Sequence, residues 1–214
     1  METDKINART LLLSLGILLC IETTTKIVIF NSYFHATIAL GVARLFETIL
    51  FIKVILIQKK GLSLIGLAGH QVLPGIKKGL LWSAVFGAVV CFVCGVIYLF
   101  GKDPAALLHF QTPGRPSERI YLYIVAGLLA PVTEEIFFRG ILYGFLRRWG
   151  IPTAVSLSTL LFVLPHLTST AVPVVQLVGG VVFAAAYEVE KTLAAPIVIH
   201  ILGNLSIMTL SLLF

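Results

Sequence analysis

Two adjacent glutamates and an arginine, Glu134, Glu135 and Arg139, stand inside an apolar stretch of this sequence. An ionisable side chain at bilayer depth costs at least ~2.5–3.5 kcal/mol, so three of them together indicate a function. In a helix, Glu135 and Arg139 are i,i+4 neighbours in the favourable order for an ion pair. Glu134 then points about 100° away from Glu135. The spacing predicts that Arg139 neutralises Glu135, that the two carboxylates serve different partners, and that Glu134 faces a polar cavity and does chemistry.

Two other apolar segments carry polar side chains at helical spacing. His200 and Asn204 are four residues apart, so both side chains project from one face of a helix. His166 follows Phe162 by the same interval on a different segment. Because none of these polar groups is stable facing lipid, we expect them to share a pocket with Glu134.

Hydrolysis is the chemistry that such a set of side chains supports. A carboxylate and a histidine can take a proton from water and return it to a leaving amine. A second histidine and an asparagine amide can donate hydrogen bonds to the oxyanion at a scissile carbonyl. One such donor contributes about 3–4 kcal/mol in a soluble protease.

The three motifs, in this order, resemble those of the CPBP family of intramembrane proteases. That family includes the CAAX prenyl endopeptidases and the Abi proteins linked to bacteriocin processing or immunity. The resemblance covers residues 120–211 and implies a CPBP/Abi-like catalytic core there. The motifs are Glu134-Glu135-x-x-x-Arg139, Phe162-x-x-x-His166 and His200-x-x-x-Asn204.

The resemblance also implies a role for each motif residue. Glu134 and His166 are expected to activate water, while His200 and Asn204 are expected to stabilise the oxyanion. The expected supporting residues are Glu135, Arg139 and Phe162. The implied activity is that of a glutamate-dependent intramembrane endopeptidase.

A zinc site is the alternative within the enzyme interpretation, because three protein ligands plus water is the usual catalytic pattern. Glu134, the two histidines and either Asn204 or water would fill it. However, the histidines do not form an H-E-x-x-H motif, and a histidine with an asparagine is a poor donor set for zinc. We therefore predict catalysis without a metal or other cofactor and keep a zinc-dependent metalloprotease as the second hypothesis.

Two interpretations without catalysis remain. Transporters also place glutamate, histidine and arginine within the membrane, but this sequence lacks the paired interrupted helices that mark a transporter site. A membrane immunity or scaffold protein would tolerate a degenerate site, whereas all four predicted catalytic residues are present here.

The composition indicates a membrane protein. Of the 214 residues, 58% are hydrophobic and 12% are charged, against about 25% charged in soluble proteins. The mean hydropathy is +1.01. The length suits a single integral-membrane domain, residues 1–214. The net charge of +6 arises mainly from loop residues, so we expect no nucleic acid partner. The expected partners are the lipid bilayer and a membrane-anchored protein or peptide substrate.

The apolar segments predict an all-α polytopic bundle of about seven spans. A short interfacial helix is predicted around Leu62, Leu64, Ile65 and Leu67. Pro131 is expected to kink the fourth span just before Glu134. The predicted spans are residues 11–30, 33–57, 80–100, 120–149, 153–167, 172–187 and 193–213.

Charged pairs are also predicted within the first two spans. Glu22 and Lys26 are i,i+4 neighbours, and Arg44 and Glu47 are i,i+3 neighbours. Both pairs are interpreted as self-neutralising structural pairs that face protein or water rather than lipid.

The basic residues predict the orientation, because cytoplasmic loops carry an excess of lysine and arginine. We therefore expect an integral membrane protein with a cytoplasmic N-terminus, and its compact size fits a protein of the bacterial plasma membrane. One side carries Lys5, Arg9, Lys59, Lys60, Lys77, Lys78, Arg147, Arg148 and Lys191; the other carries Lys102, Arg115 and Arg119.

Overall fold

The fold is a bundle of helices. The computed structural model describes residues 6–31, 35–104, 113–167 and 173–212, and no strand occurs within these ranges. Seven helices in the described ranges correspond to the seven predicted spans, which confirms the all-α prediction. They are α1 (Ala8–Phe30), α2 (Ala36–Leu56), α3 (Gly69–Leu99), α4 (Pro116–Trp149), α5 (Ile151–His166), α6 (Val174–Glu190) and α7 (Ala194–Leu210).

Several of these helices have the length and composition of membrane spans. Three stretches, Ala8–Phe30, Gly61–Leu99 and Pro116–Trp149, are long and apolar enough to cross a bilayer, and α5 and α7 are shorter apolar helices. Large apolar side chains cover the outside, with Phe30 87% exposed and Leu99 83% exposed. Such a surface is stable in lipid rather than in water. The chain is therefore an integral membrane protein, as its composition predicts.

Helix α3 begins earlier than predicted. The sequence places the start of this span at residue 80, after glycines and Pro74, whereas the helix begins at Gly69 and contains Pro74. The side chain of Gln71 accepts a hydrogen bond from the Ala68 N–H at 3.1 Å, which closes the first turn. Pro74 is the sixth residue of the helix, so its missing N–H removes one hydrogen bond from inside the helix, and the helix nevertheless continues to Leu99.

The predicted interfacial helix is shorter than expected. It is a 3₁₀ helix over Gly61–Ile65 and does not extend to Leu67. Ile65 is fully buried and belongs to a core cluster with Phe51 and Ile136. This segment therefore packs into the bundle through its last residue.

Helix α4 runs through the centre of the bundle. Seven of the eight residues in its segment Ile136–Tyr143 are buried, including the charged Arg139. By contrast, its first turns over Pro116–Ile124 contain no buried residue. The second half of α4 is thus enclosed by protein, where charged side chains find partners.

Two stretches of α4 have π-helical hydrogen bonding, Val125–Leu129 and Ile136–Tyr143, with the α-helical Ala130–Glu135 between them. Pro131 is the second residue of this α segment, which continues directly from the π-helical Val125–Leu129, so its missing N–H removes a donor from inside a continuous helix. π-Helical turns are rare and occur frequently at functional sites. The helix therefore continues through Pro131 by a change of hydrogen-bonding register.

Candidate active site

A buried ion pair forms the base of the site. Arg139 donates to Glu135 over 3.0 Å, and both side chains are 0% exposed. A second guanidinium nitrogen donates to the backbone carbonyl of Gly180 on α6 at 3.1 Å. The predicted i,i+4 pair is therefore present, and it also ties α4 to α6.

His200 lies between the two glutamates. Its Nδ1 is 2.8 Å from Glu135 Oε1, and its Nε2 is 3.8 Å from Glu134 Oε2. The expectation that the two carboxylates serve different partners is wrong. An imidazole has nitrogens on two edges of its ring, so neighbouring side chains that diverge by about 100° can approach one ring from both sides.

The two glutamates differ in exposure. The side chain of Glu134 is 20% exposed, whereas that of Glu135 is fully buried. Glu135 already accepts hydrogen bonds from both Arg139 and His200 through its Oε1. Glu134 is thus the carboxylate that a molecule entering the site can reach.

Aromatic rings hold the histidine and the arginine in place. Phe183 stacks on His200 with ring centroids 4.5 Å apart and an interplanar angle of 20°. The guanidinium of Arg139 lies over the ring of Phe162, 4.6 Å from its centroid. Phe162 also meets the rings of His166 and His200 at 5.1 and 5.7 Å. Phe162 therefore links the side chains of three different helices.

His166 ends helix α5 and is oriented by the helix backbone. Its Nδ1 lies 2.9 Å from the carbonyl oxygen of Phe162. A carbonyl oxygen only accepts, so Nδ1 carries the proton in this bond and Nε2 of the neutral ring is left as an acceptor. His166 is partly exposed and contacts the rest of the cluster through Phe162.

Asn204 is the predicted site residue that stands apart. Its Nδ2 donates to the backbone carbonyl of Ala126 on α4 at 2.8 Å. It lies one turn from His200 on α7, as its spacing predicts. The structure therefore joins Asn204 to the backbone of α4, eight residues before Glu134, through a bond that the side-chain spacing did not predict.

A second polar cluster lies beside the first. Arg44 bonds to Glu47 at 2.5 Å, as predicted, but it also bonds to Glu22, which was expected to pair with Lys26. Thr133, next to Glu134, donates to the carbonyl of Arg44 at 3.0 Å. Sequence spacing finds pairs on one helix but misses the contact of Arg44 on α2 with Glu22 on α1, because residues distant in sequence give no such signal.

Among the described residues, no group of three or more His, Cys, Asp or Glu side chains is arranged to hold a metal ion. The chemistry that this arrangement supports is proton transfer. The site consists of one accessible carboxylate, two histidines and a carboxamide, with a buried ion pair behind them.

Comparisons with known proteins agree with the sequence motifs. Residues 116–206 match the family described as type II CAAX prenyl endopeptidase Rce1-like. The membrane-embedded CAAX protease MroQ of Staphylococcus aureus (strain USA300) is 35% identical over 92 residues. No solved structure matches the chain.

The matched region is limited to part of each protein. The similarity to MroQ covers 40% of this chain and spans 36% of the length of that relative. The family match over residues 116–206 includes Glu134, His166, His200 and Asn204. Residues 116–206 are therefore similar in sequence to the type II CAAX prenyl endopeptidase Rce1-like family, in agreement with the motifs.

Proposed function

We propose that this protein is a glutamate-dependent intramembrane endopeptidase that hydrolyses a peptide bond of a membrane-anchored protein or peptide. The observation that carries the proposal is the arrangement around His200. A buried Glu135–Arg139 pair fixes one edge of the imidazole, and the accessible Glu134 faces the other edge. The relative MroQ is named a membrane-embedded CAAX protease, which supports the same reaction class.

In the proposed reaction, Glu134 acts as the general base. It takes a proton from a water molecule while the water oxygen attacks the scissile carbonyl carbon. His166 helps to hold this water through its Nε2, because its Nδ1–H is engaged with the Phe162 carbonyl. Glu134 then returns the proton to the leaving amine as the carbon–nitrogen bond breaks.

His200 and Asn204 stabilise the negative charge on the carbonyl oxygen. With Nδ1–H donated to Glu135, His200 donates to the oxyanion from Nε2 when both of its nitrogens carry protons. Asn204 contributes an amide N–H. Donors that are already oriented before the reaction are worth more than solvent, because no reorganisation is needed during the step.

The substrate is proposed to be anchored in the bilayer, since the site is built from membrane helices. Candidate substrates are bacteriocin precursors, C-terminal membrane-anchored sorting signals and prenylated tails. We propose a bacterial plasma membrane location with a cytoplasmic N-terminus, which the distribution of basic residues and the relative from Staphylococcus aureus support.

Cleavage of an anchored peptide by the purified protein in detergent tests the proposal. A fluorogenic peptide with a C-terminal apolar anchor is compared for the wild type, Glu134→Gln and Glu135→Gln. Glu134→Gln is expected to lose at least ~10²-fold in kcat while keeping its thermal stability. Glu135→Gln is expected to lose less activity and more stability, because it weakens the partner of Arg139.

Glu118→Gln is the matched control, since Glu118 pairs with Arg115 at the start of α4, away from the site. Full cleavage by Glu134→Gln would overturn the proposal. Loss of wild-type activity on adding a chelator would favour the zinc hypothesis instead. Absence of cleavage with every anchored peptide would favour a scaffold or immunity role.

A further inference from the structure

The bond between Asn204 and Ala126 has a cause in the backbone of α4. The segment Val125–Leu129 is π-helical, a register in which a carbonyl bonds to the N–H five residues on rather than four. The N–H of Ala130 accordingly donates to Val125. The next donor in the series would be the N–H of residue 131, but this residue is Pro131 and has none. The π-helical register therefore ends at Pro131.

The carbonyl of Ala126 is consequently left without its usual helical donors. In α-helical register its donor would be Ala130, whose N–H goes to Val125, and in π-helical register it would be Pro131. A backbone carbonyl that lacks a partner inside a membrane protein is costly. Asn204 supplies the missing donor at 2.8 Å.

Helix α7 passes close enough to α4 for this bond because Gly127 follows Ala126. A Cβ at Gly127 would lie 2.6 Å from Cδ2 of Leu205, the residue after Asn204. A bond between Tyr123 and Thr209 at 3.1 Å joins the same two helices more than a turn away. The Asn204 amide is thus held at a tight crossing of two helices.

We infer that Pro131 is a positioning residue for Asn204: by removing one backbone N–H it frees the Ala126 carbonyl, which fixes the Asn204 amide. An asparagine amide has two N–H groups. The bond to Ala126 engages one of them and orients the other for the substrate oxyanion. This inference rests on the proposed function, since it assigns a cause to the orientation of one of its oxyanion donors.

Substitutions that restore the missing N–H test the inference. Pro131→Ala and Pro131→Val each offer the Ala126 carbonyl a backbone donor, and valine keeps the three side-chain carbon atoms of proline. Pro152→Ala is the matched control, because Pro152 is exposed in the first turn of α5, where an added N–H frees no side chain.

The direct measurement is NMR of protein labelled with ¹⁵N only in asparagine. The chain has three asparagines, Asn7, Asn31 and Asn204, so three side-chain amide pairs are expected. Asn204→Ala assigns the Asn204 pair. Asn7 donates to Gln58 and Asn31 to the Ile27 carbonyl, and neither bond involves α4, so their unchanged signals show that a variant is folded.

Restoring the N–H is expected to shift the Asn204 amide signals and to lower kcat about tenfold, with KM within about twofold, because orientation acts on the transition state. Pro152→Ala should leave the signals and the kinetics unchanged. Asn204 signals that stay in place in both Pro131 variants would overturn the inference.

Two further outcomes would distinguish failure of the positioning role from failure of the proposed function. Shifted Asn204 signals with unchanged kcat, in a protein that loses cleavage on Asn204→Ala, would overturn the positioning role. Failure of the wild type to cleave any anchored peptide would overturn the proposed function, whereas the Asn204 signals would still show whether Pro131 controls the amide.

Discussion

At the scale of single residues, burial of the Arg139 charge costs desolvation free energy that other groups in the site must offset. Its side chain is 0% exposed and is compensated by Glu135, by the Gly180 carbonyl and by the ring of Phe162. A buried pair contributes little net stability, but removal of one partner leaves an unpaired buried charge. The pair thus makes each of its members hard to replace alone.

Arg139→Leu is therefore expected to lower the free energy of unfolding by about 3–5 kcal/mol. Equilibrium unfolding in mixed detergent micelles measures this loss. Arg115→Leu is the control, because Arg115 is 83% exposed and its pair with Glu118 spans 3.6 Å. Exposed pairs contribute at most about 1 kcal/mol. Equal losses in the two variants would contradict the structural role given to the buried pair.

Residue spacing predicted the contacts along one helix and missed those between helices. Glu135 and Arg139 pair as predicted because four residues place two side chains on one face. The approach of both glutamates to His200 was not predictable, since it depends on how α7 packs against α4. The bond from Asn204 to Ala126 did have a sequence signal in Pro131, which marks a carbonyl without a donor.

At the scale of helices, small residues determine how closely α3 approaches α7. A Cβ at Gly79 would lie 2.7 Å from Cβ of Val198 and 2.8 Å from the carbonyl oxygen of Ala195. A backbone oxygen cannot rotate away as a side chain can. Any residue other than glycine at position 79 must therefore separate the two helices.

Gly79→Ala is expected to destabilise the protein by about 1–3 kcal/mol, the usual cost of overpacking. Gly87→Ala provides the control on the same helix, because a Cβ there meets nothing within 4 Å. Alanine favours a helix over glycine, so this control should be neutral or slightly stabilising. Thermal unfolding of the two variants compares them, and equal midpoints would show that the close approach is not required.

Helix existence was predictable from the apolar segments, whereas the start of α3 and the register of α4 were not. Glycines and Pro74 indicate a loop before residue 80, yet packing of Gly75 and Gly79 against residues 192–198 favours helix from Gly69. Hydropathy reports the total apolar content of a segment. It carries no information about the π-helical bonding of Ile136–Tyr143 around Arg139.

At the scale of the whole molecule, Glu188 joins the ends of α4 and α6. It lies one residue past the predicted sixth span and accepts hydrogen bonds from Tyr143, Arg147 and Lys191 at 2.7 to 3.0 Å. Burial alone would raise the pKa of Glu188. The hydrogen bonds from Arg147, Lys191 and Tyr143 outweigh burial and lower this pKa from 4.5 to about 2.

A lowered pKa in the folded state makes stability depend on pH. Between about pH 4.5 and pH 2 the unfolded chain binds more protons at Glu188 than the folded protein does, so the stability from this group is lost as pH falls. The free energy of unfolding in detergent should therefore fall more steeply in this window for the wild type than for Glu188→Gln. Identical pH slopes would contradict a stabilising role for the Glu188 clamp, the cluster of Glu188 with Tyr143, Arg147 and Lys191.

The proposed orientation of the chain rests on the asymmetry of its basic residues, which predicts that Lys59 and Lys102 lie on opposite sides of the bilayer. Both side chains are exposed. In a background with Cys20, Cys91 and Cys94 replaced by alanine, Lys102→Cys should react with an impermeant maleimide in intact spheroplasts. Lys59→Cys should react only after the membrane is permeabilised, because that side is proposed to face the cytoplasm.

The opposite labelling pattern would reverse the orientation while leaving the bundle intact. Reaction of both cysteines in intact spheroplasts would instead show that α3 does not cross the bilayer between them. The expected pattern would place the Glu188 clamp on the cytoplasmic side, since Lys59, Arg147 and Lys191 belong to the same basic set. The proposed anchored substrate would then reach Glu134 from within the membrane, between that clamp and the outer ends of α4 and α7.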